Sequence, residues 1–118
     1  MYKIVSVSRI TRLLLERNDT LALAGFRVLS PRIPEQAPFL AYEQDVDAVV
    51  VGHSVEPSMR QTVIEMVRRL CPRCVIAFVY VGERQNEQLA DVSLDVTKGN
   101  HPLIAFLQER LPRQTAAD

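Results

Sequence analysis

Val49, Val50 and Val51 follow Asp47-Ala48 and run directly into Gly52. Three β-branched residues in succession leave no polar face for water, so the segment suits a strand covered on both sides, as in a parallel sheet. A parallel sheet obliges every connection to cross over, and the chain is segmented accordingly. Lys3–Ser8 and Phe26–Ser30 are short β-rich runs before the valines, and Val75–Val81 and Val92–Val96 follow them. Helical spacing lies between. Ile10, Leu13, Leu14, Leu21 and Ala24 make one such stretch, closed by Gly25, with the weak helix formers Asn18-Asp19-Thr20 predicting a frayed or bent turn. Pro31, Pro34 and Pro38 punctuate the next connection around a helix from about Glu35 to Gln44. Pro57 suits a first helical position, and Met59, Val63, Met66, Val67 and Leu70 form an apolar stripe behind it. Pro102–Leu111 closes the chain with Leu103, Phe106, Leu107 and Leu111 turned inward.

The order βαβαβαβαβα predicts an α/β fold, a doubly wound five-stranded parallel sheet in a three-layer sandwich. Residues 1–111 form the domain and 112–118 a frayed C-terminal tail. The fourth crossover is thin: between Val81 and Val92 there is room for a short helix of one or two turns.

Composition narrows the function. Fourteen basic residues balance fourteen acidic ones, which argues against nucleic acid or an anionic membrane as partner. The apolar run Ile4–Val7 is too brief for a signal core or a membrane span, so a soluble, cytoplasmic protein with reduced Cys71 and Cys74 is expected. Cys71 ends a helix, at the negative end of its dipole, and should be a poor nucleophile. The two histidines, His53 and His101, belong at the opposite sheet edge from Cys74, so a four-ligand zinc site within the chain is excluded. Arg60, Arg68, Arg69 and Arg73 lie along or just beyond one helix with Glu56 and Glu65 and no interleaved aromatic, the pattern of a solvated, salt-bridged face. The glycines at 25, 52, 82 and 99 are too scattered for a phosphate loop, and no cofactor is expected.

Gly52-His53-Ser54 is the sharpest motif, ending a strand at the carboxyl edge where open α/β sheets place ligands. A nucleophile elbow needs a glycine two residues after the serine, and Glu56 stands there. The plainer reading gives Gly52 a tight backbone, Ser54 a role in capping the next helix, and His53 the surface.

The pattern resembles the receiver domain of bacterial response regulators, a flavodoxin-like fold. Leu14-Leu15 through Ala24-Gly25-Phe26-Arg27-Val28 is similar to that family's first helix and second strand. Asp47-Ala48-Val49-Val50-Val51 resembles its third strand, and Cys71-Pro72 through Val75-Ile76 its proline-led fourth. A receiver transfers a phosphoryl group to an aspartate ending the third strand, with Mg²⁺ held by carboxylates after the first. A hydroxyl residue ends its fourth strand and a lysine its fifth. Carried over, the resemblance puts the acceptor position on Gly52, the acidic pair on Ser8 and Arg9, the hydroxyl on Val79 and the lysine on Val96, with Lys98 two residues late. None of these can do the chemistry, and the Gly52-His53-Ser54 turn is similar to stand-alone receiver-like proteins lacking the aspartate.

The resemblance implies a signal-transduction protein of the two-component or phosphorelay type that is not phosphorylated, not an enzyme, and holds no metal. It would bind a protein partner, or a second copy of itself, through Glu83–Ala90 and His101–Gln108. Val79 and Val96 should make the former pocket apolar and collapsed, or filled by Arg9. The alternative is a small hydrolase using Ser54, with His101 and Asp95 as candidates to complete it.

Overall fold

The computed structural model describes residues 1–111; the expected tail, 112–118, lies outside the described residues. Five strands, β1 (Lys3–Val7), β2 (Arg27–Leu29), β3 (Ala48–Gly52), β4 (Val75–Tyr80) and β5 (Val92–Asp95), pair in the order β2-β1-β3-β4-β5. All four pairings are parallel. β3 is central and buried at every residue, as its valines require.

Alternation along the strands divides the core in two. Val5, Val7, Val49, Val51 and Ile76 face one way, onto α2 (Ala37–Glu43) and α3 (Pro57–Leu70). Ile4, Val50, Ala77 and Val79 face the other, onto Leu21 of α1 (Thr11–Leu23) and Leu103 and Leu107 of α4 (His101–Arg110). Each fully buried leucine or isoleucine contributes about 1.5–3 kcal/mol by leaving water, and both cysteines are free.

Local signals mostly act as expected. A single 3₁₀ turn, Pro34–Gln36, leads into α2, and α3 begins at Pro57. Gly25, at φ +97°, takes the left-handed conformation that ends α1. The Asn18-Asp19-Thr20 stretch does not break the helix. Thr20 Oγ1 donates back to the Glu16 carbonyl at 2.9 Å and Asn18 Nδ2 donates to Ser30 Oγ at 3.0 Å, so the Thr20 hydroxyl and the Asn18 amide nitrogen, which could compete with the helix, are occupied.

The fourth crossover departs from expectation. Between β4 and β5 the chain forms no helix; residues 81–91 are bends, turns and irregular backbone. An irregular segment cannot satisfy its own backbone, and here α3 supplies partners. Arg68 donates from Nε and Nη2 to the Leu89 carbonyl at 3.2 and 3.0 Å and from Nη1 to the Cys74 carbonyl at 3.1 Å, while pairing with Asp91 at 2.9 Å. Arg60 is buried with its guanidinium 4.7 Å from the Phe78 ring centroid, its Nη1 donating to Gln85 Oε1 at 3.2 Å. The Glu87 carboxylate lies 3.5 Å from Arg60 Nε, close enough to attract but not aligned as a hydrogen bond. Arg60 and Arg68 are therefore not the solvated face that their sequence spacing suggests; Arg69 and Arg73 are exposed. Replacing Arg68 with methionine should speed amide exchange across residues 84–91 severalfold and leave β3 amides unchanged, as hydrogen-exchange mass spectrometry would read.

Candidate functional site

The carboxyl ends of β1, β3, β4 and β5 meet at one edge of the sheet, and the residues following them line a cavity of about 250 Å³. Gly52 and Val79, paired across β3 and β4, are at its floor, with Ser8, Val96, Thr97 and Asn100 around it. A larger furrow of about 570 Å³ lies at the amino edge, near Tyr2, Asp45, Cys71 and Arg110. Its thiols are unsuited to nucleophilic work: burial and Asp45 push Cys71 up, and burial above all pushes Cys74 up to about 12. The carboxyl edge holds the more telling chemistry.

Its decisive side chain is Arg17. Residue 17 falls between Leu14 and Leu21 on the inward stripe of α1, so its guanidinium is carried into the protein, 4% exposed. Nη1 donates to Ser6 Oγ at 3.1 Å and to the Val7 carbonyl at 3.0 Å. Nη2 stands over Gly52: a Cβ built there would lie 2.6 Å from it. No residue with a side chain fits at 52 unless the arginine moves. Among the described residues no carboxylate pairs with this guanidinium, and burial pulls its pKa down to about 10, which still leaves it charged at neutral pH.

The cavity is thus neither collapsed nor filled by Arg9. Arg9 is exposed and turned outward, pairing with Glu56 at 2.6 Å and Glu35 at 3.8 Å. Its hydrogen bond is the main reason the Glu56 carboxyl titrates below its usual range. Val79 is buried and Val96 half-buried, both lining the cavity. Lys98 is exposed in the turn beyond β5 and does not line it. Arg17 was not among the candidates read from the sequence. The available signal was a charged residue at i+3 from Leu14 and i−4 from Leu21, on a stripe that should be apolar throughout.

Ser54 does not cap α3, whose N-cap, Glu56, makes no side-chain capping bond. Its Oγ accepts from the Arg9 amide at 2.8 Å and meets Ser8 Oγ at 2.9 Å; Ser8 Oγ in turn accepts from the Ile10 amide and lies 3.3 Å from the Ile10 carbonyl. Donors and acceptors run in one direction, Arg9 N–H to Ser54, Ser54 to Ser8, Ser8 to the Ile10 carbonyl. The two hydroxyls hold the β1–α1 turn, and no histidine is hydrogen-bonded to Ser54 among the described residues. Asp95 accepts two bonds from Thr97, at 2.6 Å from the hydroxyl and 2.9 Å from the amide, and His101 is exposed at the start of α4. Ser54 and Asp95 are therefore committed elsewhere.

His53 is half-buried, its amide bonded to the Val79 carbonyl. Burial first, and then repulsion from Arg17 and Arg60, lowers its pKa below the usual imidazole value. Since the folded state binds this proton less readily than the unfolded chain, the contribution to stability is complete above about pH 6.5 and declines as pH falls through that value. In Arg17→Gln the His53 ring should titrate at higher pH, part of the way back to 6.5, which ring NMR shifts would record.

By sequence alone the chain matches no protein-family model and none of the curated proteins. Solved structures do match. The chemotaxis protein CheY4 of Vibrio cholerae superposes with a TM-score of 0.79 at 19% identity, over 94% of this chain and 99% of that one. HP1043, an orphan response regulator of H. pylori, gives 0.75 at 15% identity, over 94% and 97%. The chain has the receiver fold. The receiver domain of NtrC4 from Aquifex aeolicus adds a third example, with a TM-score of 0.76 at 11% identity over 92% and 95%. No helix among the described residues is long and apolar enough to cross a membrane.

The contact between Gly52 and Arg17 can be tested on this receiver fold directly. Gly52→Ala should destabilise the protein by about 1–3 kcal/mol, the usual cost of overpacking. In the Arg17→Met background the same change should cost less, because the remaining close neighbour, the Val7 carbonyl, is at 3.4 Å. Urea unfolding of the four proteins in the cycle would give the coupling.

Proposed function

We propose that this chain is a receiver-fold signalling protein that is not phosphorylated and acts as a protein-binding module. The observation that carries the reading is the Arg17 guanidinium against Gly52. Glycine offers no oxygen for an acyl phosphate, and a fixed cation beside it opposes Mg²⁺, which needs oxygen ligands. The other positions support the same conclusion. Ser8 and Arg9, where the family's acidic pair would fall, serve the β1–α1 turn and a surface ion pair. Val79 and Val96 bring no hydroxyl and no amine to the cavity, and Lys98 points its charge to solvent beyond it.

Without chemistry at the edge, the proposed output is docking, through the segments Glu83–Ala90 and His101–Gln108. The first is exposed for most of its length yet tied to α3 by Arg60 and Arg68, so it can offer a defined surface at little ordering cost. The partner in this reading is a protein in the cytoplasm, a second copy of the chain being one candidate, rather than nucleic acid or membrane. The hydrolase alternative draws no support from Ser54, whose hydroxyl is engaged by Ser8 and the Arg9 amide.

Incubation with Mg²⁺ and acetyl phosphate, read by intact mass, should give no phosphoryl adduct. A labile adduct would show a working phosphoacceptor and overturn the reading.

A further inference from the structure

We infer that the carboxyl-edge cavity is a binding site for a small oxyanion, received by the guanidinium of Arg17. The inference is independent of the docking proposal, since it rests on the cavity and not on the outer surface. Arg17 is a buried charge whose two hydrogen-bond acceptors, Ser6 Oγ and the Val7 carbonyl, are both neutral. Buried ions normally have a counter-charge, because neutral acceptors do not replace the hydration that is lost. Here none is supplied by the described residues, while the group lines a cavity open enough for one.

The surrounding charges favour an anion. Arg12 and Glu16 also line the cavity, but they pair with each other at 3.6 Å and cancel, leaving the charge of Arg17. His53, with its lowered pKa, is neutral at pH 7. Asp95 lies outside the lining and is occupied by Thr97. From the far wall α4 begins just after Gly99 and Asn100, both lining residues, with no side-chain capping bond and no acidic residue in its first turn. The positive end of the α4 dipole lies at the rim. A cavity of about 250 Å³ accommodates a phosphate- or carboxylate-sized group with a few waters, at about 30 Å³ each. It is too small for a nucleotide. Phosphate and carboxylate can each present two oxygens to the planar fork of a guanidinium, and the probes separate them.

The test is titration of the full ¹⁵N-labelled chain at pH 7 and constant ionic strength with inorganic phosphate, and separately with acetate. Saturable shifts are expected at the amides of Gly52, His53, Thr97 and Gly99 and at Arg17 Nε, with one of the two anions binding more tightly. Arg17→Gln should weaken that binding by about tenfold or more, the usual worth of a hydrogen bond to a charged group. Asn100→Asp keeps Arg17 and places a favourable capping residue at α4, so its folding is not at risk; it sets a rival carboxylate at the rim and should weaken binding comparably. Absence of saturable shifts with either anion would overturn the assignment, and so would affinity unchanged in Asn100→Asp should Arg17→Gln fail to fold.

Discussion

A single buried guanidinium organises the carboxyl edge of this sheet. Arg17 reaches from the inward face of α1 to the ends of β1 and β3, bonding Ser6 and Val7 and lying against Gly52. Each element contributes something specific to that arrangement. α1 supplies a charged residue on an otherwise apolar stripe. β1 supplies Ser6, a hydroxyl at a fully buried position, and β3 supplies the one residue type whose missing side chain leaves space. A change at any of the three alters what the others can be.

On the α1 and α4 side, the charge sits in a layer that is otherwise largely apolar. Toward α2 and α3 the sheet presents mainly valine and isoleucine; toward α1 and α4 it presents isoleucine, valine and alanine, until Ser6 and Gly52 near the carboxyl ends of β1 and β3 meet Arg17 of α1. A core built for stability alone would place a leucine at position 17, since replacing buried ions with well-packed apolar groups is often neutral or stabilising. At this edge the buried charge is positive, carried by Arg17. A fold of this kind says where a site will be, and its side chains decide what the site attracts.

How far the sequence can be read follows from which interactions are local. The triple-valine strand, Gly25 after α1 and Pro57 opening α3 act through backbone preference and burial, and each appears in place. Sequence reading assigns the cavity to Arg9, and the structure gives it to Arg17, to which that reading assigns no role. Arg9 is adjacent to β1 and looks poised to enter the cavity, yet Glu35 and Glu56 hold it outside; neither partner is near it in sequence. Ser54 is equally illegible, because its partners, Ser8 and the Arg9 amide, lie 46 and 45 positions away. The missing crossover helix belongs with these. Its replacement depends on what Arg60 and Arg68 can reach once α3 is packed, which no local periodicity reveals.

That crossover has a consequence for how the chain can vary. A helix closes its own hydrogen bonds, so its surface residues can be exchanged one at a time at small cost. The stretch from Val81 to Asp91 instead draws on groups rooted elsewhere: two arginines on α3, Ser93 on β5 for the Glu87 amide, and Thr97 for the amide of Gly82. Asp91 itself links three elements, receiving Arg68, Arg110 and the amide of Ile76. Substitutions at 60, 68 and 91 therefore do not fall on independent sites. Lineages that keep this crossover should conserve those residues as a set, and lineages that regain a helix there are free to lose all three.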